Sequence, residues 1–264
     1  MEHRNEIRFL IEQLLLVMPE YQMQANTIYG NPVAERRFLR SLMNVCPPEQ
    51  IYLLKPVFWT VQDALLLAEQ KEKGVVDAVL LPEYPGYPGI VLWKGDITQL
   101  RADAIVNAAN ETLLGCFCPC HGCIDNAIHS AAGLQLRREC QEQMIEQGHL
   151  EPSGRAKLTK AYNLPAEFIL HTVGPMVQGN VTMEEQKLLR NCYLSCLELA
   201  DANKLTSVVF CCISTGEFHF PNRLAAEIAI ETVVAFLKTS TTTKKVIFNV
   251  FKNQDATIYQ ELLR

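Results

Sequence analysis

Long apolar runs are missing from this chain of 264 residues. Stretches such as residues 14–18 fall far short of the roughly 20 apolar residues that a membrane-spanning helix needs. An excess of positive charge is missing too. There are 24 Lys and Arg against 29 Asp and Glu, a net charge of −5, which argues against binding along a nucleic-acid backbone. Met1-Glu2-His3-Arg4 opens without an apolar core or a small-residue cleavage site, so no signal peptide is expected. Neither GxGxxG nor GxxxxGK[ST] occurs, which leaves Rossmann and P-loop nucleotide binding without support. Repeats and low-complexity segments are also absent.

Cysteine is present in number, ten in all, but not in the arrangement of a secreted disulfide scaffold. Cys116, Cys118, Cys120 and Cys123 crowd with His121 into one stretch of eight residues. In a reducing compartment such a cluster points to metal binding or chemistry, so a cytoplasmic location is expected. No second CxxC-type pair follows at zinc-finger spacing. A single compact cluster suits a three-ligand site with one open position better than a closed four-ligand one. Spacing alone does not say which cysteines bind. Cys140, Cys192, Cys196, Cys211 and Cys212 lie in apolar surroundings and read as small core residues.

Two patterns divide the chain. Residues 1–75 read as a helical extension. Ile7, Leu10, Ile11, Leu14, Leu15 and Met18 make one helical stripe ended by Pro19, and a second helix spans 34–46. A third starts at Thr60, whose Thr60-Val61-Gln62-Asp63 resembles a capping box, and stops at Gly74. Arg36, Arg37 and Arg40 read as a solvated face. From residue 77 onward, short β-branched runs alternate with amphipathic helices. Strands are expected at 78–81, 90–93, 104–106, 168–173, 208–213 and 246–251, with helices at 127–147, 184–203, 223–238 and 256–263. This is an α/β pattern with a largely parallel sheet between helical layers.

Ligands bind such sheets beyond the strands' carboxyl ends. Asn107 and Asn110 follow one strand, and their carboxamides can donate and accept together, as sugar hydroxyls require. Ser214-Thr215-Gly216-Glu217-Phe218 follows another and precedes a helix, a setting for backbone N–H groups that hold a phosphate or diphosphate. Asp96 suits a turn cap or an acceptor for an amino group. His129 and His171 read as core histidines, while His219 lies beside the candidate phosphate loop.

Several stretches together resemble a macrodomain. They are Gly95-Asp96-Ile97-Thr98, the 104–110 segment AIVNAAN, the 127–133 segment AIHSAAG, Tyr162-Asn163-Leu164-Pro165, His171-Thr172-Val173-Gly174-Pro175 and Ile213-Ser214-Thr215-Gly216. The resemblance covers residues 77–264 and implies a three-layer α/β/α sandwich that binds ADP-ribose. A glycine run usual in macrodomain hydrolases is replaced here by the cysteine stretch. That stretch and the helical extension are similar to the zinc-dependent subclass of microbial protein-ADP-ribosyl hydrolases. The resemblance implies zinc held by Cys116, His121 and Cys123, with Cys118 or Cys120 open as a substitute for Cys116. It also implies Asp96 and Ile97 at the adenine, Asn107 and Asn110 at the distal ribose, residues 214–218 at the diphosphate, and Asp125 as the catalytic group alongside Asn110.

On this reading zinc is a Lewis acid and Asp125 orients or deprotonates the attacking water, freeing mono-ADP-ribose from a protein carboxylate. The resemblance also implies association with a sirtuin-like ADP-ribosyltransferase, whose modification the hydrolase would reverse, and with a lipoyl-carrier protein related to the glycine cleavage H protein. The alternatives are a non-catalytic ADP-ribose-binding module and an O-acetyl-ADP-ribose deacetylase.

Overall fold

The computed structural model describes residues 3–264. Helices α1 (Arg4–Val17), α2 (Gln22–Ile28), α3 (Pro32–Val45), α4 (Pro48–Ile51) and α5 (Pro56–Lys73) come first. The heptad-like stripe of α1 packs on α3 and α5, and Leu10, Leu39, Leu42 and Phe58 are buried in a cluster of their own. Helix α3 is fixed at its start by the Asn31 side chain, which accepts the N–H groups of Val33 and Ala34, each at 3.1 Å. Among the described residues no helix is long and apolar enough to cross a membrane.

Two expectations fail here for local reasons. Helix α5 begins at Pro56, the first-turn position that proline favours, so Thr60 lies inside it and caps nothing. Gln62 and Asp63 of that look-alike box instead face the rest of the molecule. Gln62 Oε1 accepts the Leu134 N–H at 3.0 Å, and Asp63 accepts from Asn163 Nδ2 at 2.8 Å. The apolar run 78–81 is not a strand. Asp77 accepts the N–H of Val79 and caps a 3-10 turn at Ala78–Leu80, leaving Val79 and Leu80 exposed. Just before this run, β1 (Val76–Asp77) pairs in parallel with β3 (Leu100–Arg101).

The central sheet contains β2 (Ile90–Lys94), β4 (Ala104–Ala108), β5 (Ala156–Lys160), β6 (Phe168–Thr172), β7 (Ser207–Phe210) and β8 (Lys245–Val250), in the order β2-β8-β7-β4-β6-β5. All neighbours are parallel except β5, an antiparallel edge strand whose half-buried Ala-Lys-Leu-Thr-Lys pattern gave no apolar run to read. Strands β4, β7 and β8 are buried on both faces, as a parallel sheet between helices demands. Helices α6 (Ile124–Ala132), α7 (Leu134–Gln147), α8 (Met183–Ala202), α9 (Asn222–Leu237) and α10 (Asn253–Leu262) complete the three layers. Gly133, at φ 95°, breaks α6 from α7 where a single helix was expected to run on. The parallel register brings the carboxyl ends of β2, β8, β7, β4 and β6 to one edge, and a cleft opens there.

Candidate functional site

The cleft encloses a cavity of about 720 Å³, large enough for a nucleotide-sized ligand. Its walls are the loops that leave the parallel strands. Asp96 and Ile97 come from the exit of β2, Asn110 and the cysteine loop from β4, residues 214–218 from β7, and Asn249, Phe251 and Lys252 from β8. Of the expected site residues, all but Asn107 line it.

Asn107 is fully buried beneath the floor. Its Nδ2 donates to Asp125 Oδ1 at 2.8 Å and faces His171 Nδ1 at 3.2 Å. In this arrangement its Nδ2 holds a carboxylate, while its Oδ1 has no hydrogen-bond partner. The reason for its burial is the period of the strand: Asn107 is still within β4 and points into the layer of α6. Asn110, three residues on, does reach the cavity. Its Oδ1 accepts from Thr112 N and Oγ1, and its Nδ2 bonds the Gly115 carbonyl at 3.1 Å and lies 3.4 Å from Asp125 Oδ2.

Asp125 sits in the first turn of α6, where the helix favours negative charge, yet it is only 4% exposed. Burial pushes its carboxyl up to about 6, against the opposing pull of the Asn107 hydrogen bond and the Arg137 charge. A cation nearby would lower it again. Behind it, His129 and His171 are buried and held neutral by that burial. They are core histidines, as their apolar settings indicate. His129 nevertheless leaves both ring nitrogens without a hydrogen-bond partner.

The cysteine loop brings Cys116, His121 and Cys123 together, one ligand atom of each lying within 4.8 Å of the others. Cys116 Sγ is 3.7 Å from His121 Nδ1. Cys123 is also the N-cap of α6, its Sγ accepting the Asn126 N–H at 3.4 Å. Burial, with the Cys116 thiol close by, pushes the Cys123 thiol up to about 12. Two sulfurs and one imidazole, half-buried and facing a cavity, fit zinc with an open fourth position. Cys118 and Cys120 do not join this group: Cys120 Sγ turns to the Arg37 carbonyl at 3.4 Å, and Cys118 is exposed.

Across the cleft, Ser214 adopts φ 64° and places its Oγ where a side chain on Gly174 would collide, at 2.0 Å from a Cβ built there. Thr215 Oγ1 donates to the Cys212 carbonyl, and the Phe220 N–H closes the loop onto Ser214 O at 3.0 Å. Among the described residues no protein acceptor takes the backbone N–H groups of residues 214–218. Open amides gathered in a tight loop before α9 are suited to cradle an anion. At the far end Asp96 caps a 3-10 turn, accepting from Thr98 N at 2.9 Å, and pairs with Lys73 of α5. Burial would raise the Asp96 carboxyl, but the Lys73 and Thr98 bonds outweigh it and hold it below the usual range.

Sequence reasoning passed over the exit of β8. Phe251 is 73% exposed on the cavity wall, with Asn249 and Lys252 beside it. It lies at the carboxyl end of a parallel strand, the same signal that marks the exits of β4 and β7. Arg40 is not a solvated residue either: it is half-buried, and its Nη2 donates to Asn126 Oδ1 at 2.7 Å.

The Macro domain family model matches residues 106–229. A protein of Treponema medium named protein-ADP-ribose hydrolase is 45% identical over 257 residues, covering 97% of each chain. A Fusarium oxysporum protein named probable bifunctional ADP-ribose hydrolase/ADP-ribosyltransferase is 46% identical over 67% of this chain and 32% of its own length. Among solved structures, a Trypanosoma brucei macrodomain in complex with ADP is 29% identical with a TM-score of 0.65, over 86% of this chain and 96% of that one.

Proposed function

This chain belongs to the macro domain family, and from that premise we propose that it is a zinc-dependent hydrolase that removes mono-ADP-ribose from modified proteins. The observation that carries the reading is a coincidence within one cavity. A zinc-type cluster and the Asp125 carboxylate stand at one end, the open amides of residues 214–218 in the middle and Asp96 at the other. The names of the Treponema and Fusarium relatives support the activity, and the Trypanosoma complex supports a nucleoside diphosphate in this cleft.

In this arrangement residues 214–218 grip the diphosphate through backbone N–H groups. Asp96 accepts from the adenine amino group, beside Ile97 and the exposed ring of Phe251. Asn110 meets the distal ribose, and Asp125, aimed by Asn107, orients and deprotonates the attacking water. Cys116, His121 and Cys123 would hold the metal, which would supply Lewis acidity to the reaction.

The finer reading is part of the same proposal. The bond cleaved is a carboxylate ester, and the modified protein is a lipoyl carrier related to the glycine cleavage H protein, modified by a sirtuin-like transferase. The hydrolase–transferase name of the Fusarium relative supports pairing with a transferase. All ten cysteines are free, which supports a reducing, cytoplasmic setting. The division into a helical layer of residues 1–75 and a macrodomain of residues 77–264 is supported by their two separate apolar clusters, though Leu134 of α7 packs with the first.

The test uses Cys123→Ser on a mono-ADP-ribosylated protein substrate. Turnover should vanish while ADP-ribose affinity stays within about threefold, because the amide cradle and Asp96 are untouched. Equal loss of both would overturn this separation of roles.

A further inference from the structure

The loop that carries Cys116, His121 and Cys123 has no regular secondary structure between Gly115 and the start of α6. Few bonds of its own hold it: His121 N–H reaches the Cys118 carbonyl at 3.2 Å, and Asn110 Nδ2 reaches Gly115 O. Cys120, next to His121, takes φ 51°, a left-handed conformation that a side chain disfavours and that surrounding contacts must impose. The contacts that impose it come from α3.

Asn44 of α3 is 2% exposed, and both ends of its amide are used. Its Oδ1 accepts the Cys120 N–H at 2.9 Å, and its Nδ2 donates to Ser130 Oγ of α6 at 2.9 Å. One turn earlier, Arg40 donates to the same Ser130 Oγ at 3.2 Å and to Asn126 Oδ1 at 2.7 Å. Asn126 passes the constraint on, its Nδ2 bonding the Cys118 carbonyl at 3.0 Å and its backbone N–H meeting Cys123 Sγ. One path therefore runs from Asn44 through Cys120 to His121, and another from Arg40 through Asn126 to Cys123.

We propose that α3 of the N-terminal extension is the scaffold of the metal centre, with Asn44 and Arg40 as positioning residues that set the geometry of His121 and Cys123. The inference rests on the zinc reading of that cluster. It assigns the extension a task at the active site: without this helix the macrodomain carries the ligands but not the frame that converges them. Groups one step behind metal ligands commonly change metal affinity by about 10- to 100-fold when removed.

The experiment measures zinc affinity of the full chain by competition with a chromogenic chelator, for the parent, Asn44→Ala, Arg40→Ala and the conservative Asn44→Asp and Arg40→Lys. ADP-ribose affinity and the thermal midpoint are recorded on the same samples. Both alanine variants should bind zinc about 10- to 100-fold more weakly and keep ADP-ribose affinity within about threefold, with Asn44→Asp, which retains the acceptor for Cys120, recovering most of the loss. Unchanged zinc affinity in both alanine variants overturns the inference. So does a parallel collapse of zinc affinity, ADP-ribose affinity and thermal midpoint, because that is loss of fold and not of positioning. If the parent itself holds no zinc, the functional reading fails first, and the inference falls with it.

Discussion

His121 Nε2 lies 3.7 Å from the carboxylate of Glu217, so the imidazole of the cysteine loop faces the cradle loop across the cleft. Its other nitrogen, Nδ1, faces Cys116 Sγ. The ring thus has one nitrogen beside Cys116 and the other near a carboxylate, close enough for that carboxylate to orient the imidazole of a metal-bound histidine after a small side-chain adjustment.

Glu217→Ala should therefore weaken zinc binding, and Glu217→Gln, which keeps an acceptor, should weaken it less. Glu217 is largely exposed, so the effect belongs at the low end, about tenfold, as read by chelator competition. Equal zinc affinity in parent and alanine variant would show that the two loops do not communicate through this contact.

Asp125→Asn should separate chemistry from binding. The amide preserves the shape of the site but cannot take a proton, so turnover on a modified protein should fall by about 10²- to 10⁴-fold. ADP-ribose affinity, measured by calorimetry, should change little, since Asp125 is 4% exposed and the cradle lies opposite. A turnover loss below about tenfold would remove Asp125 from the reaction.

Asp96→Ala acts at the other end. Losing a charged acceptor for the adenine amino group should weaken ADP-ribose by about 10- to 100-fold. Zinc content should remain as in the parent, because Asp96 bonds Lys73 and Thr98 and touches none of the cluster. Unaltered affinity would place the adenine elsewhere.

The extension carries its own pH signature. Glu35 is fully buried and accepts from Arg8, from the Gly30 N–H and from Arg4, bonds that pull its carboxyl from its ordinary 4.5 down to about 2. A depressed folded-state value stabilises the protein in full above about 4.5, and that stabilisation is lost as pH falls from there toward 2. Glu35→Gln should lower the thermal midpoint by about 5 °C at pH 7, and the gap should close between pH 4.5 and 2. A gap independent of pH would mean that packing, not charge, is what the substitution removes.

Much of this site is legible in the chain because its residues are local. Cys116, His121 and Cys123 lie within eight positions, and residues 214–218 are contiguous, so sequence order already gathers them. What hid was what depends on direction or on distant partners. Asn107 and Asn110 look equivalent in sequence, but one is still in β4 and turned inward while the other has left it. Arg40 looks solvated until α3 is docked beside α6, 86 residues away. The run 78–81 is apolar enough for a strand, yet the Asp77 cap bends it first. Thr60 to Asp63 match a capping pattern whose polar groups are used for docking.

The measurement that tests the central claim most directly is paired: zinc per chain by elemental analysis, and release of ADP-ribose from a mono-ADP-ribosylated protein with and without chelator. The account predicts about one zinc per chain, held by three protein ligands, and release that stops with chelator and returns with added zinc. A protein free of zinc that releases ADP-ribose at the same rate with chelator present would contradict it.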